Sequence, residues 1–185
     1  MSKSPDDVWL VRRASAGDRL AMQLLYERHS PALYTFICTL VNDRFEAADV
    51  VHETFLEVWR NAARFAGRSA VRTWMFGIAR YKSIDMHRRS ASAVISPVDT
   101  SLPDQAPDPH AFLEAASDAA NLRACISQLS ERHRSVIHLA FYEELPYDNI
   151  AAIEGVPVGT VKTRIHYAKR LLKRRLTAAA GVRMR

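Results

Sequence analysis

Between positions 91 and 118 the chain carries prolines at 97, 103, 107 and 109, five acids (Asp99, Asp104, Asp108, Glu114, Asp118) and no lysine or arginine. On both sides of this stretch, apolar residues recur at i, i+3, i+4 and i+7, the spacing of one face of a helix, and no alternating strand pattern occurs. A run that proline-rich does not continue a helix, and one that polar does not bury. The reading is an all-α chain of two small helical domains, 1–90 and 112–185, joined by a flexible acidic linker over 91–111.

The front segment parses into four or five helices. Asp18 is placed to cap a helix carrying Leu20, Leu24 and Leu25 on one side. Ser30-Pro31 reads as an N-cap followed by proline at the first helical position, starting a second helix with Leu33, Phe36, Ile37 and Leu40. Asn42-Asp43 interrupts, and Ala47, Val50, Val51, Thr54, Val58 and Ala62 form a further stripe. The loop Phe65-Ala66-Gly67-Arg68-Ser69 precedes a helix with Val71, Trp74, Met75, Ile78 and Ile84 inward. In the rear segment, Leu122, Cys125, Ile126 and Leu129 keep helical spacing; Ser130 caps a helix with Val136, Ile137, Ala140 and Phe141 inward. A short helix from Pro146 or Tyr147 to Ile153, a turn at Glu154-Gly155-Val156-Pro157, and a last helix from Thr160 with Val161, Ile165, Ala168, Leu172 and Leu176 inward complete it.

Charge is distributed unevenly. Residues 1–90 hold 14 basic and 10 acidic side chains, residues 119–185 hold 12 and five, and from Gly155 onward there are nine basic residues and no acid. A basic end, an acidic waist and a mildly basic front fit contact with a polyanion at more than one place. Cys38 and Cys125 are too few for a disulfide framework or a four-cysteine zinc site, and read as two small buried hydrophobes in a reducing cytosol. No apolar stretch approaches the roughly 18 residues of a membrane span, and Met-Ser-Lys-Ser-Pro-Asp-Asp has no signal core, so a cytoplasmic protein without membrane insertion is expected.

The segment 145–176 has the order short helix, glycine-bearing turn, long basic helix, which is that of a helix-turn-helix. Ile150, Ala151 and Ile153 dock the first helix, Gly155 lets the backbone turn with positive φ, and Val156 fills the gap. Opposite its apolar stripe, the second helix presents Lys162, Thr163, Arg164, His166, Tyr167 and Arg170, and Thr160 lies at its N-terminus among phosphate-facing N–H groups. Charge alone would favour a merely solvated surface; the turn and the absence of acids after Glu154 shift the balance towards DNA. In the front segment, Asp49, Glu53 and Glu57 line one helix face at i, i+4, i+8, which read alone is ordinary surface charge. The helix after the loop interleaves Arg72, Trp74, Arg80, Tyr81, Lys82, His87, Arg88 and Arg89, as single-strand binders do, with Trp74 open to a core reading as well. A small-residue loop over such a helix could hold one unstacked base. Catalytic readings find little: His52-Glu53 lacks the second histidine of a zinc protease, since position 56 is Leu56, and His133 and His138 diverge around their helix. No cofactor, metal ion or enzymatic activity is expected.

These residues resemble the extracytoplasmic-function (ECF) class of sigma-70-type RNA polymerase sigma factors. The front runs LLYERHSPALYTFI, AADVVHETFLEVWR and FAGRSAVRTWMFGIARYKSIDMHRR look like region 2; LSERHRSVIHLAFYEELPYDNIAAIEGVPVGTVKTRIHYAKRLLKRRL looks like region 4. The resemblance implies that Asp49, His52, Glu53, Leu56, Glu57, Trp59 and Arg60 bind the β′ clamp helices of core polymerase. It implies that Ala66, Gly67, Arg68, Ser69 and Ala70, with Arg80, Tyr81, Arg88 and Arg89, recognise and melt the −10 element, the loop capturing a flipped base. It further implies that Thr160, Lys162, Thr163, Arg164, His166, Tyr167 and Arg170 read the −35 element as duplex, that the rear domain sits on the β flap, and that the acidic linker threads the polymerase cleft towards the RNA exit path. An anti-sigma factor is an expected partner. Two positions depart from the family's frequent pattern: His52 stands where glutamine is common and Tyr81 where asparagine is, the latter bearing on which −10 bases are read. Competing readings are a sigma-like decoy that captures an anti-sigma factor, which would not need the basic last helix, and a helix-turn-helix repressor, which would need neither a second DNA-reading domain nor a polymerase-facing helix.

Overall fold

The computed structural model describes residues 6–41, 43–93 and 121–183, and every regular element among them is helical. The front half holds α1 (Asp7–Ser15), α2 (Arg19–Ile37), α3 (Arg44–Asn61), a one-turn 3-10 segment (Ala62–Arg64) and α4 (Val71–Ala93). The rear half holds α5 (described over 121–127), α6 (Glu131–Phe141), α7 (Tyr147–Glu154) and α8 (Val158–Arg183).

The Asp18 cap behaves as read, and Asp43, read only as an interruption, caps α3 in the same way. The Asp18 carboxylate accepts from the N–H groups of Leu20 (3.0 Å) and Ala21 (3.2 Å), and Asp43 accepts from Phe45 (2.7 Å) and Glu46 (3.1 Å). Ser130 is the residue before α6, but its hydroxyl pairs with His133 Nδ1 at 3.0 Å and makes no side-chain cap bond. Ser30-Pro31 does not start a helix: α2 runs 19 residues with Pro31 inside it. Leu25, His29, Leu33, Phe36 and Ile37 stay on one buried face across the proline, so packing on both sides outweighs one missing backbone bond. Leu20 and Leu24 fall outside that face; Leu20 is 72% exposed, while Ala21 and Leu25 take the buried positions. The α3 stripe is as read, with Ala47, Val50, Val51, Thr54, Val58 and Ala62 all buried.

α1 has no counterpart in the sequence reading. It buries Leu10, Val11 and Ala14, and its Asp7 pairs with Arg28 and with His29 Nε2 (2.9 Å) on α2. α4 extends to Ala93, past the expected linker start at 91, because no proline intervenes before Pro97. The remaining linker positions and the expected domain start near Phe112 lie outside the described residues. Cys125 is buried as expected, but Cys38 is exposed just beyond α2.

The two halves pack against each other. One apolar core runs from Leu10, Leu25, Phe36, Val58 and Met75 of the front into Val136, Leu139, Ile150, Val161 and Ile165 of the rear. α4 lies between them, against α2 and α3 on the front side and α7 on the rear. The Phe36 ring meets Phe76 (5.1 Å) within the front half and His138 of α6 (5.7 Å) across the boundary. Polar contacts also cross. Arg72 donates to the Glu143 carboxylate and carbonyl, Arg80 Nη1 donates to Glu131 (2.6 Å), and Arg134 Nε donates to the Thr39 carbonyl (3.0 Å). A smaller cluster, Leu129, Ile137 and Ala168 with Leu171 and Leu172, anchors the middle of α8.

Candidate nucleic-acid interface

The rear site is built on the turn between α7 and α8. Gly155 ends α7 at φ 65°, ψ 35°, a left-handed position glycine adopts without Cβ strain. Val156 N–H then returns to the Ala151 carbonyl (3.1 Å), and Thr160 and Val161 N–H bond the Pro157 carbonyl (2.9 and 3.2 Å). α8 therefore begins at Val158, and Thr160 sits half-buried in its first turn rather than at its start. Val161, Ile165 and Ala168 are buried and fix the rotation of the helix.

That rotation leaves Lys162, Thr163, His166, Tyr167 and Arg170 exposed on one surface. The Arg170 guanidinium lies over the Tyr167 ring (5.6 Å), and His166 meets the same ring edge-on (6.0 Å). These groups form a cationic, aromatic patch suited to phosphates and base edges. The Thr163 hydroxyl turns back to the Gly159 carbonyl (2.9 Å), and Arg164 is half-buried with Nη1 3.0 Å from Glu154. Phe141, expected inward, is half-exposed and lies under the Lys169 ammonium at 4.6 Å.

In the front half the loop after the 3-10 turn carries Gly67 at φ 68°. Ala66, Gly67, Arg68 and Ala70 are exposed and Ser69 is half-buried. Beneath it Phe65 packs on Trp74 (4.9 Å), which is half-buried: the indole belongs partly to the core, with one side at the surface. Trp74, Ile78 and the 68%-exposed Tyr81 line an open cavity of about 410 Å³ with Glu57, Asn61 and Lys82. Arg88 and Arg89 are exposed, and Arg89 pairs with Asp85 at 2.5 Å. Arg80 is different. It is only 8% exposed, turned into the boundary between the halves and held by Glu131 and Glu154. Sequence could not mark Arg80 as buried, since the carboxylates that hold it, Glu131 and Glu154, lie more than 50 residues further along the chain.

On α3, Asp49, His52, Glu53, Leu56 and Arg60 are exposed, while Glu57 and Trp59 are half-buried, Trp59 against the core. Lys82 of α4 reaches Glu57 (3.0 Å) and Glu53 (3.6 Å). The hydrogen bond from Lys82 holds the Glu57 carboxyl below the usual carboxylate range. Tyr26 of α2, absent from the sequence reading, lies against Phe55 (4.6 Å) and near His52 (6.3 Å) and adds an exposed aromatic to this face. Among the described residues no group of three or more metal-ligating side chains occurs, and no helix is long and apolar enough to cross a membrane.

The Sigma-70 region 2 family matches residues 25–93, and the Sigma-70 region 4 family matches residues 119–172. The ECF RNA polymerase sigma factor SigL of Mycobacterium tuberculosis is 35% identical over 168 residues, covering 88% of this chain and 93% of that protein. The RNA polymerase sigma-H factor of Pseudomonas aeruginosa is 30% identical over 187 residues, covering 95% and 96%. Among solved structures, CnrH in complex with the cytosolic domain of CnrY superimposes with a TM-score of 0.68 at 25% identity, covering 93% of this chain and 97% of that one.

Proposed function

The chain belongs to the ECF class of sigma-70-family RNA polymerase sigma factors, and from that premise we propose which of its surfaces does what. It is a promoter-specificity factor, binding core polymerase and promoter DNA, and in our reading it acts without catalysis of its own, in the cytoplasm. The observation that carries the assignment is the solvent-facing row Lys162, His166, Tyr167 and Arg170 on a helix fixed by a glycine turn. We assign this row to the −35 duplex, with Thr160, Thr163 and Arg164 supporting it.

The domain division we propose is region 2 followed by a linker and by region 4 over 112–185, with the first boundary moved from 90 to Ala93, the end of α4, so that the linker runs from 94 to 111. The exposed part of α3, Asp49, His52, Glu53 and Leu56 with Arg60 and the neighbouring Tyr26, is assigned to the β′ clamp helices, and the rear half to the β flap. Its acids give electrostatic complementarity to a basic partner, and Leu56 with Tyr26 gives an apolar centre. Loop residues 66–70, Tyr81, Arg88 and Arg89 are assigned to the −10 element, the aromatic wall of Trp74 and Tyr81 offering a stacking platform. CnrH is bound in its structure to the cytosolic domain of CnrY, which supports a protein partner for this fold, and we read that partner as an anti-sigma factor.

The test is in vitro transcription with core polymerase on a promoter library. Transcripts sharing −35 and −10 elements are expected, and Arg170→Ala should abolish them while core binding persists. Folded protein that neither binds core nor supports transcription would overturn the assignment in favour of a decoy that only captures an anti-sigma factor.

A further inference from the structure

A helix that reads a groove must have its roll about its own axis fixed, because a few tens of degrees would swing Lys162, His166, Tyr167 and Arg170 off their targets. Val161, Ile165 and Ala168 are buried, but apolar contacts are non-directional and set that roll only loosely. A hydrogen-bonded ion pair is directional. Glu154, the last residue of α7, supplies one. Its side chain is wholly buried. Oε1 accepts from the Ser135 hydroxyl of α6, and Oε2 accepts from Arg164 Nη1 of α8 at 3.0 Å. One carboxylate therefore ties together the three helices of the helix-turn-helix. Arg80 Nε of α4 lies 3.1 Å from Oε1 without making a hydrogen bond. Both bonds that orient the carboxylate thus come from the rear half itself.

Arg164 faces accordingly. Its side chain is 18% exposed, whereas Lys162, His166, Tyr167 and Arg170 stand at the surface. Burial, and then the Arg164 charge, hold the His133 imidazole below its ordinary value, which places the guanidinium towards α6 and not over the exposed row. Swinging Arg164 out to a base would strip a buried carboxylate of its hydrogen-bonded cation, a larger loss than one base contact returns. We propose that Arg164 is a positioning residue for −35 recognition: held by Glu154, it fixes the roll of α8 and touches neither base nor phosphate, leaving the sequence to be read by Lys162, His166, Tyr167 and Arg170. This inference rests on the −35 assignment above. Affinity then depends on Glu154, a residue shut away from DNA, and base preference does not depend on Arg164.

The experiment uses the full chain, Arg164→Ala, Glu154→Gln and the double variant. Fluorescence anisotropy reads affinity for the −35 duplex selected from the promoter library, for that duplex with each base pair replaced in turn, and for the parent duplex over a range of salt. Arg164→Ala should weaken every duplex by one common factor of about tenfold, the worth of one hydrogen bond to a charged group, with base preference and salt slope unchanged. Glu154→Gln should weaken them in the same pattern, although it removes a negative charge and simple electrostatics would tighten binding. The double variant should lose no more than Arg164→Ala alone. Preference flattened at one base pair would make Arg164 a base reader, and a salt slope reduced by about one would make it a phosphate contact; either overturns the proposal, as does a Glu154→Gln that binds equally or more tightly. NMR separates positioning from lost stability: the Arg164 guanidinium protons should exchange slowly in the folded free chain, stay slow when duplex is added, and exchange faster in folded Glu154→Gln. Protons freed by adding duplex would also overturn it. Should Glu154→Gln not fold, Ser135→Ala, which removes the other hydrogen bond on the carboxylate, answers by the same readouts. A wild type with no preference among duplexes sinks the −35 assignment and this inference with it, whereas a wild type with preference and a base-specific Arg164→Ala defect sinks this inference alone.

Discussion

Replacing Gly155 with alanine isolates the backbone strain of the helix-turn-helix from every other effect. The residue sits at φ 65°, and a Cβ built there meets no heavy atom within 4 Å. Sterics with neighbours therefore contribute nothing, and only the left-handed conformation opposes the substitution, by about 1–2 kcal/mol. Alanine also stiffens the unfolded chain, which offsets roughly 0.4–1 kcal/mol of that. The net loss should be about 1 kcal/mol. Asparagine, which tolerates the left-handed region, should lose less. The shared core links this to the whole molecule: if both halves unfold together, a loss of about 1 kcal/mol lowers Tm by about 2–4 °C, whereas a rear half melting alone would drop by about 4–8 °C. Calorimetry and urea titration of wild type, Gly155→Ala and Gly155→Asn measure both quantities. A neutral Gly155→Ala, or Gly155→Asn as damaging as alanine, would refute the backbone argument; a loss above about 3 kcal/mol would mean a clash the geometry excludes.

Asp43→Ala removes two N-cap bonds from α3 and should lower stability in urea by about 1 kcal/mol. Burial pushes the Glu143 carboxyl up, but the hydrogen bond from His138 and the Arg72 charge more than offset it, leaving it below its ordinary value. Its contribution is therefore complete above the ordinary carboxyl range near pH 4.3 and is lost as pH falls through the lower folded value; Glu143→Gln should flatten the acid limb of a stability–pH profile. Lys162→Ala should weaken −35 duplex binding similarly across sequences and reduce the slope of log affinity against log salt by about one if Lys162 meets a phosphate.

Much of the architecture was legible because the burial is one-sided. α3 exposes one face and buries the other, so Ala47, Val50, Val51, Thr54, Val58 and Ala62 announced themselves by spacing alone. The same holds for Val161, Ile165 and Ala168, which is why the exposed basic row on α8 could be named from sequence. α1 was not legible: its nine residues give too little periodicity to stand out before docking supplies its stability. α4 was legible as a helix but not in its buried face: of Val71, Trp74, Met75, Ile78 and Ile84, read as inward, Val71 and Met75 are buried and the others half-buried, because packing between two layers also buries Thr73, Arg80 and Ser83 beside Phe76 and Ala79. The contact between the halves is carried partly by Arg72, Arg80, Glu131, Glu143 and Glu154, and charged residues in a sequence look like surface until a partner from far along the chain is placed opposite them. Spacing likewise favoured Leu20 and Leu24 beside Leu25, and Phe141, as core residues; Leu25 is buried as read, while Ala21 and Leu139 take the places of the others.

α8 runs 26 residues, yet among its side chains described, those up to Thr177, the buried ones end at Ala168. Past that point Lys169 and Lys173, and Arg170 and Arg174, stand four apart on the surface, and each like-charged pair opposes helix formation by a few tenths of a kcal/mol. The distal turns are thus a polyelectrolyte rod under its own repulsion. Added salt relaxes that tension, and a phosphate backbone relaxes it more, so ionic strength pulls two ways: it firms the rod while loosening its grip on nucleic acid. The turns from Lys169 to Arg174, on the helix we assign to the −35 duplex, should accordingly be best ordered when the duplex itself supplies the counterions.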